Sequence, residues 1–324
     1  MKRISVLSIL LALAAFATGA SAQQYPNRNI SMIVPYAAGG PTDTVARVLA
    51  QAMGKPLGHT VIVENRPSAG GILGPEQVKN AKPDGYTILI HHVGMATTPT
   101  LYRNLRYNPL TDFEYIGLIN EVPMTIVAKP TMAAKDLKEF LAYIKANKDK
   151  VTYANAGIGA ASHLCGMLFM SAIQTDFQTI PYKGTGPAMN DLIGGQVDFM
   201  CDQTTSTTSQ IKAGTIKVYG VTSAKRVSSL PDVPTLQEQG LKGADVGIWH
   251  GLYAPKGTPK PVIDKLVSSL QEAMKDPTVN QRFTDLGAVS FPADKQTPAA
   301  LQSHLKAEID KWAPLIKKAG QYAD

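Results

Sequence analysis

A stretch of small and polar residues is the first place where this sequence could bind a ligand. Residues 36–43 read YAAGGPTD and lie between an apolar, strand-like run at 30–34 and a pattern typical of a helix. Glycines let the backbone approach a ligand, and the first N–H groups of a helix have no partner within it, so such a loop can bind an anion. A plain strand-to-helix turn, with Thr42 capping the helix, explains the same residues.

A second stretch with the same chemistry follows a predicted strand at 151–155. Residues 155–163 read NAGIGAASH and precede a predicted helix at 163–173. In α/β proteins, ligands bind beyond the carboxyl ends of the strands, so two such loops in two lobes are expected to face one cleft. The two loops therefore predict one binding site between two lobes.

Motifs that would indicate catalysis do not accompany these loops. Ser162 does not lie in a GxSxG elbow, and the sequence contains neither HExxH nor the GK[ST] of a P-loop. We therefore predict a binding protein and not an enzyme, with no catalytic residue and no cofactor. An exported hydrolase that uses Ser162 with a histidine is the remaining alternative.

The N-terminal residues are typical of a secretory signal peptide. Lys2 and Arg3 precede an apolar run from Val6 to about Phe16, and small residues lead to Ala22. This run is shorter than the roughly 20 residues that span a membrane. We expect residues 1–22 to be a signal peptide, cleaved after Ala22, and the mature chain to be exported.

The charge of the mature chain argues against nucleic acid as a partner. The full sequence carries 32 basic and 25 acidic residues, a net charge of +7, and removal of Lys2 and Arg3 leaves +5. This excess is not gathered into a basic patch with aromatic residues, which nucleic-acid binding would require.

Cys165 and Cys201 are the only cysteines. Export to an oxidising compartment permits a disulfide, whereas their apolar neighbours fit two buried free thiols equally well. Sequence spacing does not decide between the two.

Strand-like and helical runs alternate through most of the mature chain. This alternation predicts an α/β fold with parallel strands and crossover helices. Removal of 22 residues from 324 leaves 302, which exceeds one ordinary hydrophobic core and so predicts two lobes.

Longer sequence blocks resemble a known family. They include VPYAAGGPTD, VENRPSAGG, YANAGIGAASHL, PYKGTGPAMNDLIGGQVD and LPDVPTLQEQG, and they occur in order over nearly the whole mature chain. In these blocks the chain resembles the periplasmic solute receptors of tripartite tricarboxylate transporters, which are the Bug-type or TctC-like binding proteins.

The resemblance implies a two-lobed periplasmic binding protein, a Venus flytrap with its ligand in the interdomain cleft. Residues 23–122 and 246–324 would form domain 1, and residues 123–245 domain 2. The implied function is a monomeric periplasmic receptor that binds a small aliphatic or aromatic (di)carboxylate with high affinity and delivers it to the membrane subunits of a tripartite tricarboxylate transporter. Docking of the liganded receptor on a periplasmic sensor domain is the alternative.

The resemblance also implies which residues bind the ligand, and these lie in the two loops described above. The first loop contributes Tyr36, Ala38, Gly39, Gly40, Thr42 and Asp43. The second contributes Asn155, Gly157, Gly159, Ala160, Ser162 and His163. Because Asp43 would repel an anion, we expect it to cap or orient its loop, with ligand contact through water as the alternative. The chain departs from the common pattern at Ala160 and Ala161, where relatives have a hydroxyl residue.

Four polar residues at predicted strand ends complete the candidate set: His92, Tyr182, Asp202 and Thr204. His91 and His92 are adjacent on a strand and point to opposite faces, which disfavours a shared metal ion, and we expect His92 to face the cleft. Tyr182, Asp202 and Thr204 also follow predicted strands. Each has a structural alternative, because Tyr182 can pack against apolar residues and the other two can start the next helix.

Overall fold

The computed structural model describes residues 25–320 and 322–323, so the predicted signal peptide, residues 1–22, lies outside the described residues. Strands and helices alternate, which confirms the predicted α/β fold class. The strands are β1 (Ile30–Val34), β2 (Val61–Asn65), β3 (Thr87–His92), β4 (Phe113–Ala128), β5 (Thr152–Asn155), β6 (Gln178–Pro181), β7 (Phe199–Gln203), β8 (Lys217–Val221), β9 (Gly247–Pro255) and β10 (Val289–Ser290).

The helices cover the faces of the sheets. They are α1 (Pro41–Leu57), α2 (Leu73–Lys79), α3 (Gly94–Leu101), α4 (Leu137–Ala146), α5 (Ala161–Ile173), α6 (Thr185–Ile193), α7 (Thr204–Lys212), α8 (Lys260–Lys275), α9 (Pro277–Asp285) and α10 (Pro298–Ala319). A turn of 3₁₀ helix spans Ala69–Gly71. Within the described part of the chain, no helix is both long and apolar enough to cross a membrane.

The strands form two sheets joined by β4, one in each lobe. The first sheet has the order β2-β1-β3-β9-β4, and the second places β7, β5 and β6 beside the other half of β4, which also pairs with β8. The strands β1–β3 and β5–β7 pair in parallel, as expected for crossover helices. In contrast, β4 pairs antiparallel with β7, β8 and β9.

β4 changes partners where it passes from one lobe to the other. Its residues 113–123 lie opposite β9, and its residues 124–128 lie opposite β7 and β8. The chain returns between the end of β8 and the start of β9, over residues 222–246. The domain boundaries given above, at 122/123 and 245/246, stay a prediction.

The start of α1 shows how the sequence positions the first loop. Val45, Leu49 and Met53 recur every four residues and are buried in one cluster with the apolar residues of β1 and β3. Pro41 has no N–H to lose and fits the first turn, so the helix begins directly after the extended Gly40. The end of β1 and the N-terminus of α1 are thereby held on either side of residues 35–40.

A disulfide links two elements of the second lobe. Cys165 of α5 is bonded to Cys201 of β7, so the structure decides between the two alternatives that the sequence left open. The bond lies close to the first turn of α5 and to the last residues of β7. It therefore fixes these two elements relative to each other.

Candidate functional site

A small cavity lies between the two lobes, at the carboxyl ends of their strands. Its volume is about 10 Å³, close to the space that one water molecule needs. The residues that line it are Tyr36, Pro41, Thr42, His92, Ala156, Ala160, Ala161, Ser162, Thr185, Asp202 and Gln203. Tyr36, Pro41 and Thr42 follow β1 of the first sheet, and His92 ends β3 of the same sheet. The other lining residues end or follow strands of the second sheet, or begin helices of the second lobe.

Two helices begin at this cavity, one from each lobe. The N-cap of α1 is Gly40 and that of α5 is Ala160, and neither helix has a side-chain cap. The sequence-based capping role of Thr42 is therefore wrong, because the helix begins before this residue. Uncapped N–H groups and the positive end of the helix dipole favour an anion at both sides.

Asp43 organises the first loop. Its Oδ2 accepts from the Gly39 N–H (3.0 Å) and from Arg47 Nε (2.9 Å), and its Oδ1 accepts from Asn65 Nδ2 (2.9 Å). Burial by itself raises the pKa of Asp43, but these hydrogen bonds outweigh it and place the pKa below its usual range. Asp43 is thus an ionised anchor of the loop, as expected from the sequence.

Side chains fix the second loop in the same manner. Ser162 Oγ accepts from the N–H of Ala156 (2.8 Å), and Asn155 Oδ1 accepts from the N–H of Gly157 (2.9 Å). These contacts leave the hydroxyl proton of Ser162 to donate into the cavity, which Ser162 lines.

Three buried histidines, His91, His92 and His250, form a histidine cluster below the first loop. The ring of His92 stacks on that of Tyr36, with the centroids 4.8 Å apart, and meets the other two histidine rings edge-on. Burial lowers the pKa of all three, to about 4 for His91 and about 3 for His250. The cluster is therefore neutral.

A backbone hydrogen bond assigns the tautomer of His92. His92 Nδ1 accepts from the N–H of Gly94 (3.0 Å), so Nε2 carries the proton on a ring that lines the cavity. His250 lies between two polar groups: its Nδ1 is 3.0 Å from Asn120 Oδ1, and its Nε2 is 3.3 Å from the hydroxyl of Thr42.

Asp202 and Gln203 bring acceptors to the opposite wall. The hydroxyl of Thr185 donates to Asp202 Oδ1 (3.1 Å), whereas Asp202 Oδ2 and Gln203 Oε1 are buried without a hydrogen-bond partner. Burial raises the pKa of Asp202 to about 7, although the hydrogen bond from Thr185 acts against it. The described residues that line the cavity include no lysine and no arginine.

The structure brings six of the predicted residues together at the cavity. These are Tyr36, Thr42, His92, Ala160, Ser162 and Asp202. The remaining predicted residues do not line it: Ala38, Gly39, Gly40, Asp43, Asn155, Gly157, Gly159, His163, Tyr182 and Thr204. Tyr182 instead donates to Asp191 (2.7 Å), and Thr204 donates to the carbonyl of Gly287 (3.2 Å). Ligand binding by any of these residues stays a prediction.

Five lining residues were absent from the predicted set: Pro41, Ala156, Ala161, Thr185 and Gln203. A positional signal existed for Thr185, because it begins a helix after a strand, as Pro41 and Ala161 do. Gln203 directly follows Asp202 at the end of β7. No local sequence signal distinguishes it from the other polar residues that follow this strand.

Contacts beside the cavity hold the lobes against each other. The hydroxyl of Tyr102, just after α3, donates to the carbonyl of Ile158 in the second loop (2.6 Å), and Thr97 Oγ1 lies 3.3 Å from the carbonyl of Gly159. A Cβ added at Gly70 would lie only 2.0 Å from the same Ile158 oxygen. The lobes are therefore closed on each other at this edge.

Comparison with known proteins gives a consistent family assignment. Residues 45–321 match the model of the family described as the tripartite tricarboxylate transporter family receptor, TctC. The structure of the periplasmic binding protein BugD is 55% identical and covers 93% of this chain and 100% of its own, with a TM-score of 0.90.

Two further solved structures contain ligands. MatC from Rhodopseudomonas palustris, with bound malate, is 38% identical over 90% of this chain and 100% of its own, with a TM-score of 0.86. A second R. palustris protein, with adipate, is 28% identical over 91% of this chain and 98% of its own, also with a TM-score of 0.86. Both ligands are dicarboxylates.

Proposed function

Because the chain belongs to the TctC family of tripartite tricarboxylate transporter receptors, which are binding proteins and not enzymes, we propose that it is a periplasmic receptor for a small dicarboxylate. In this proposal, the ligand occupies the cavity between the lobes. The receptor then delivers it to the membrane subunits of a tripartite tricarboxylate transporter.

The observation that carries the proposal is the pair of uncapped helix N-termini at one cavity. α1 approaches from the first lobe and α5 from the second, so each can bind one carboxylate of a ligand that bridges them. The Ser162 hydroxyl and His92 Nε2–H add two neutral donors. Hydrogen bonds to an ionised oxygen are roughly twice as strong as neutral ones, so a guanidinium is not required.

We further propose that closure of the lobes couples binding to delivery. A ligand that touches both loops stabilises the closed state relative to the open one. The two connections between the lobes, near residue 123 of β4 and at 222–246, would act as the hinges. Export through cleavage after Ala22 and a monomeric receptor complete the proposal.

A thermal-shift screen of the mature protein tests the ligand class. The panel consists of aliphatic and aromatic mono-, di- and tricarboxylates, with sodium chloride at matched ionic strength as the control. We expect at least one dicarboxylate to raise the unfolding midpoint in proportion to the logarithm of its concentration. A panel in which no carboxylate exceeds the salt control would refute the ligand class.

A deletion strain separates delivery to a transporter from sensing. Uptake of the radiolabelled dicarboxylate that binds best is compared between wild type, deletion strain and complemented strain. Delivery predicts that uptake is lost on deletion and restored by complementation. Intact uptake, together with loss of transcriptional induction by the same ligand, would assign the receptor to a sensor instead.

A further inference from the structure

We propose that a groove between α5 and α10 is the surface through which the closed receptor docks on the membrane subunits of its transporter. The occupant in this proposal is an amphipathic protein segment of those subunits, with an apolar anchor between an acidic and a basic residue. This inference rests on the function proposed above, and it adds the place and the chemistry of the contact with the partner.

The two walls of the groove belong to different lobes. One wall is α5 of the second lobe, which the bond between Cys165 and Cys201 joins to β7. The other wall is α10, which packs on α3 and β4. Trp249 of β9 and Trp312 of α10 donate to the same Glu308 oxygen (3.2 and 3.0 Å), so α10 is tied to the first sheet. Opening of the lobes therefore moves the walls apart, and the groove has this shape only in the closed receptor.

The lining of the groove suits an apolar anchor. Its volume is about 450 Å³, and its apolar side chains are Met167, Leu168, Met170, Trp312, Leu315 and Ile316. Leu315 is 43% exposed at this groove. Methionine side chains adapt to the shape of a partner, and an anchor that enters the groove buries the exposed leucine with it.

Charges at the rim define the polar part of the occupant. Lys318 lines the groove on the side of α10, and Asp176 lines it on the side of α5. Both residues are exposed, and neither forms an ion pair with another described residue. Complementary charges fix the register of an interface. A segment that places an acidic residue at Lys318 and a basic one at Asp176 contacts both lobes at once, so it distinguishes the closed receptor from the open one.

Uptake into proteoliposomes that contain the membrane subunits tests the inference. The mature receptor is titrated in the presence of the dicarboxylate that binds best, and the receptor concentration for half-maximal uptake is measured. Leu315→Glu should raise this concentration about tenfold or more, because it places a charge where the anchor docks. Ile62→Glu is the matched control, since Ile62 is also 43% exposed and lies on the edge strand β2. This control should behave like the wild type.

A second pair of variants tests the charges at the rim. Lys318→Glu should raise the same concentration about two- to fivefold, and less at high salt, because the side chain is exposed. Lys275→Glu, in the last turn of α8, is its control and should have no effect. Calorimetry should give all four variants the ligand affinity of the wild type, since none of the four residues lines the cavity between the lobes.

The outcomes separate this inference from the proposed function. Normal uptake with a folded Leu315→Glu variant, or equal losses in Leu315→Glu and Ile62→Glu, would overturn the inference. A lower ligand affinity of Leu315→Glu would also overturn it, because the groove would then act on closure and not on docking. If Leu315→Glu does not fold, Lys318→Glu and Lys275→Glu decide the question, and equal behaviour of these two counts against docking.

A second copy of the chain is the competing occupant of the groove. A wild-type dimer in analytical ultracentrifugation that Leu315→Glu dissociates would assign the groove to self-association and overturn the inference. In each of these cases carboxylate binding stands. If the wild-type receptor binds no carboxylate, or supports no uptake with the membrane subunits, the proposed function itself fails.

Discussion

Replacement of Tyr102 by phenylalanine should weaken ligand binding, although Tyr102 does not line the cavity. The Tyr102 hydroxyl donates to the carbonyl of Ile158 (2.6 Å), and the two residues follow strands of different sheets. Neither residue lines the cavity. This hydrogen bond therefore exists only while the lobes are closed.

The magnitude follows from the net value of one hydrogen bond. A neutral hydrogen bond contributes about 0.5–1.5 kcal/mol, and here the variant loses it only in the closed state. Because the ligand needs the closed state, its affinity should fall by about 2- to 13-fold. Most of this change should appear as faster dissociation, since opening of the lobes releases the ligand.

Stopped-flow dissociation and calorimetry of the tightest ligand from the screen measure the effect. Tyr107→Phe is the matched control, because the Tyr107 hydroxyl lies 3.0 Å from Thr98 Oγ1 within the first lobe. It should lower the stability of the protein but leave ligand affinity unchanged. Equal affinities for wild type and Tyr102→Phe, or equal losses in both variants, would refute this account of closure.

Three further perturbations test closure, the disulfide and the histidine cluster. Gly70→Ala places a Cβ 2.0 Å from the Ile158 oxygen, an overpacking of about 1–3 kcal/mol in the closed state, so affinity should fall about 5- to 150-fold by calorimetry; unchanged affinity would contradict the contact. The double variant Cys165→Ala/Cys201→Ala should lose about 4 kcal/mol of unfolding free energy in urea, because the bond closes a loop between residues 36 apart; stability equal to that of the oxidised wild type speaks against the bond. Below pH 6.5 the three histidines become protonated in the unfolded chain but stay neutral in the folded protein. The free energy of unfolding should therefore fall towards pH 4, by up to about 1.4 kcal/mol per histidine and pH unit. The raised pKa of Asp202 opposes this with one proton, and urea midpoints that stay constant between pH 7 and pH 5 would show that the cluster does not titrate this way.

The two loops could be predicted from the sequence because their signals are local. A strand, a run of small residues and a helix start lie next to each other in the chain, at 30–41 and again at 152–161. The same local pattern cannot tell which loop residues face the other lobe. Gly39, for example, is exposed, and its N–H goes to Asp43.

The features of the site that the sequence did not predict depend on contacts between residues that are distant in the chain. Thr185 reaches the cavity only because the lobes close with Gly40 against it. His250 contacts both Thr42 and Asn120, which lie far from it in the chain. Pairing of the two cysteines likewise required the packing of α5 on β7.

Diacids and monoacids of the same length show whether each lobe holds one carboxylate. The mature protein is titrated calorimetrically with malate and 3-hydroxybutanoate, and with adipate and hexanoate. If each lobe holds one carboxylate, at least one diacid should bind with one molecule per chain. Its monoacid counterpart should then bind about tenfold more weakly, or more, since it lacks one set of charge-assisted hydrogen bonds. Equal affinities of a diacid that binds and its monoacid counterpart would contradict a site in which each lobe holds one carboxylate.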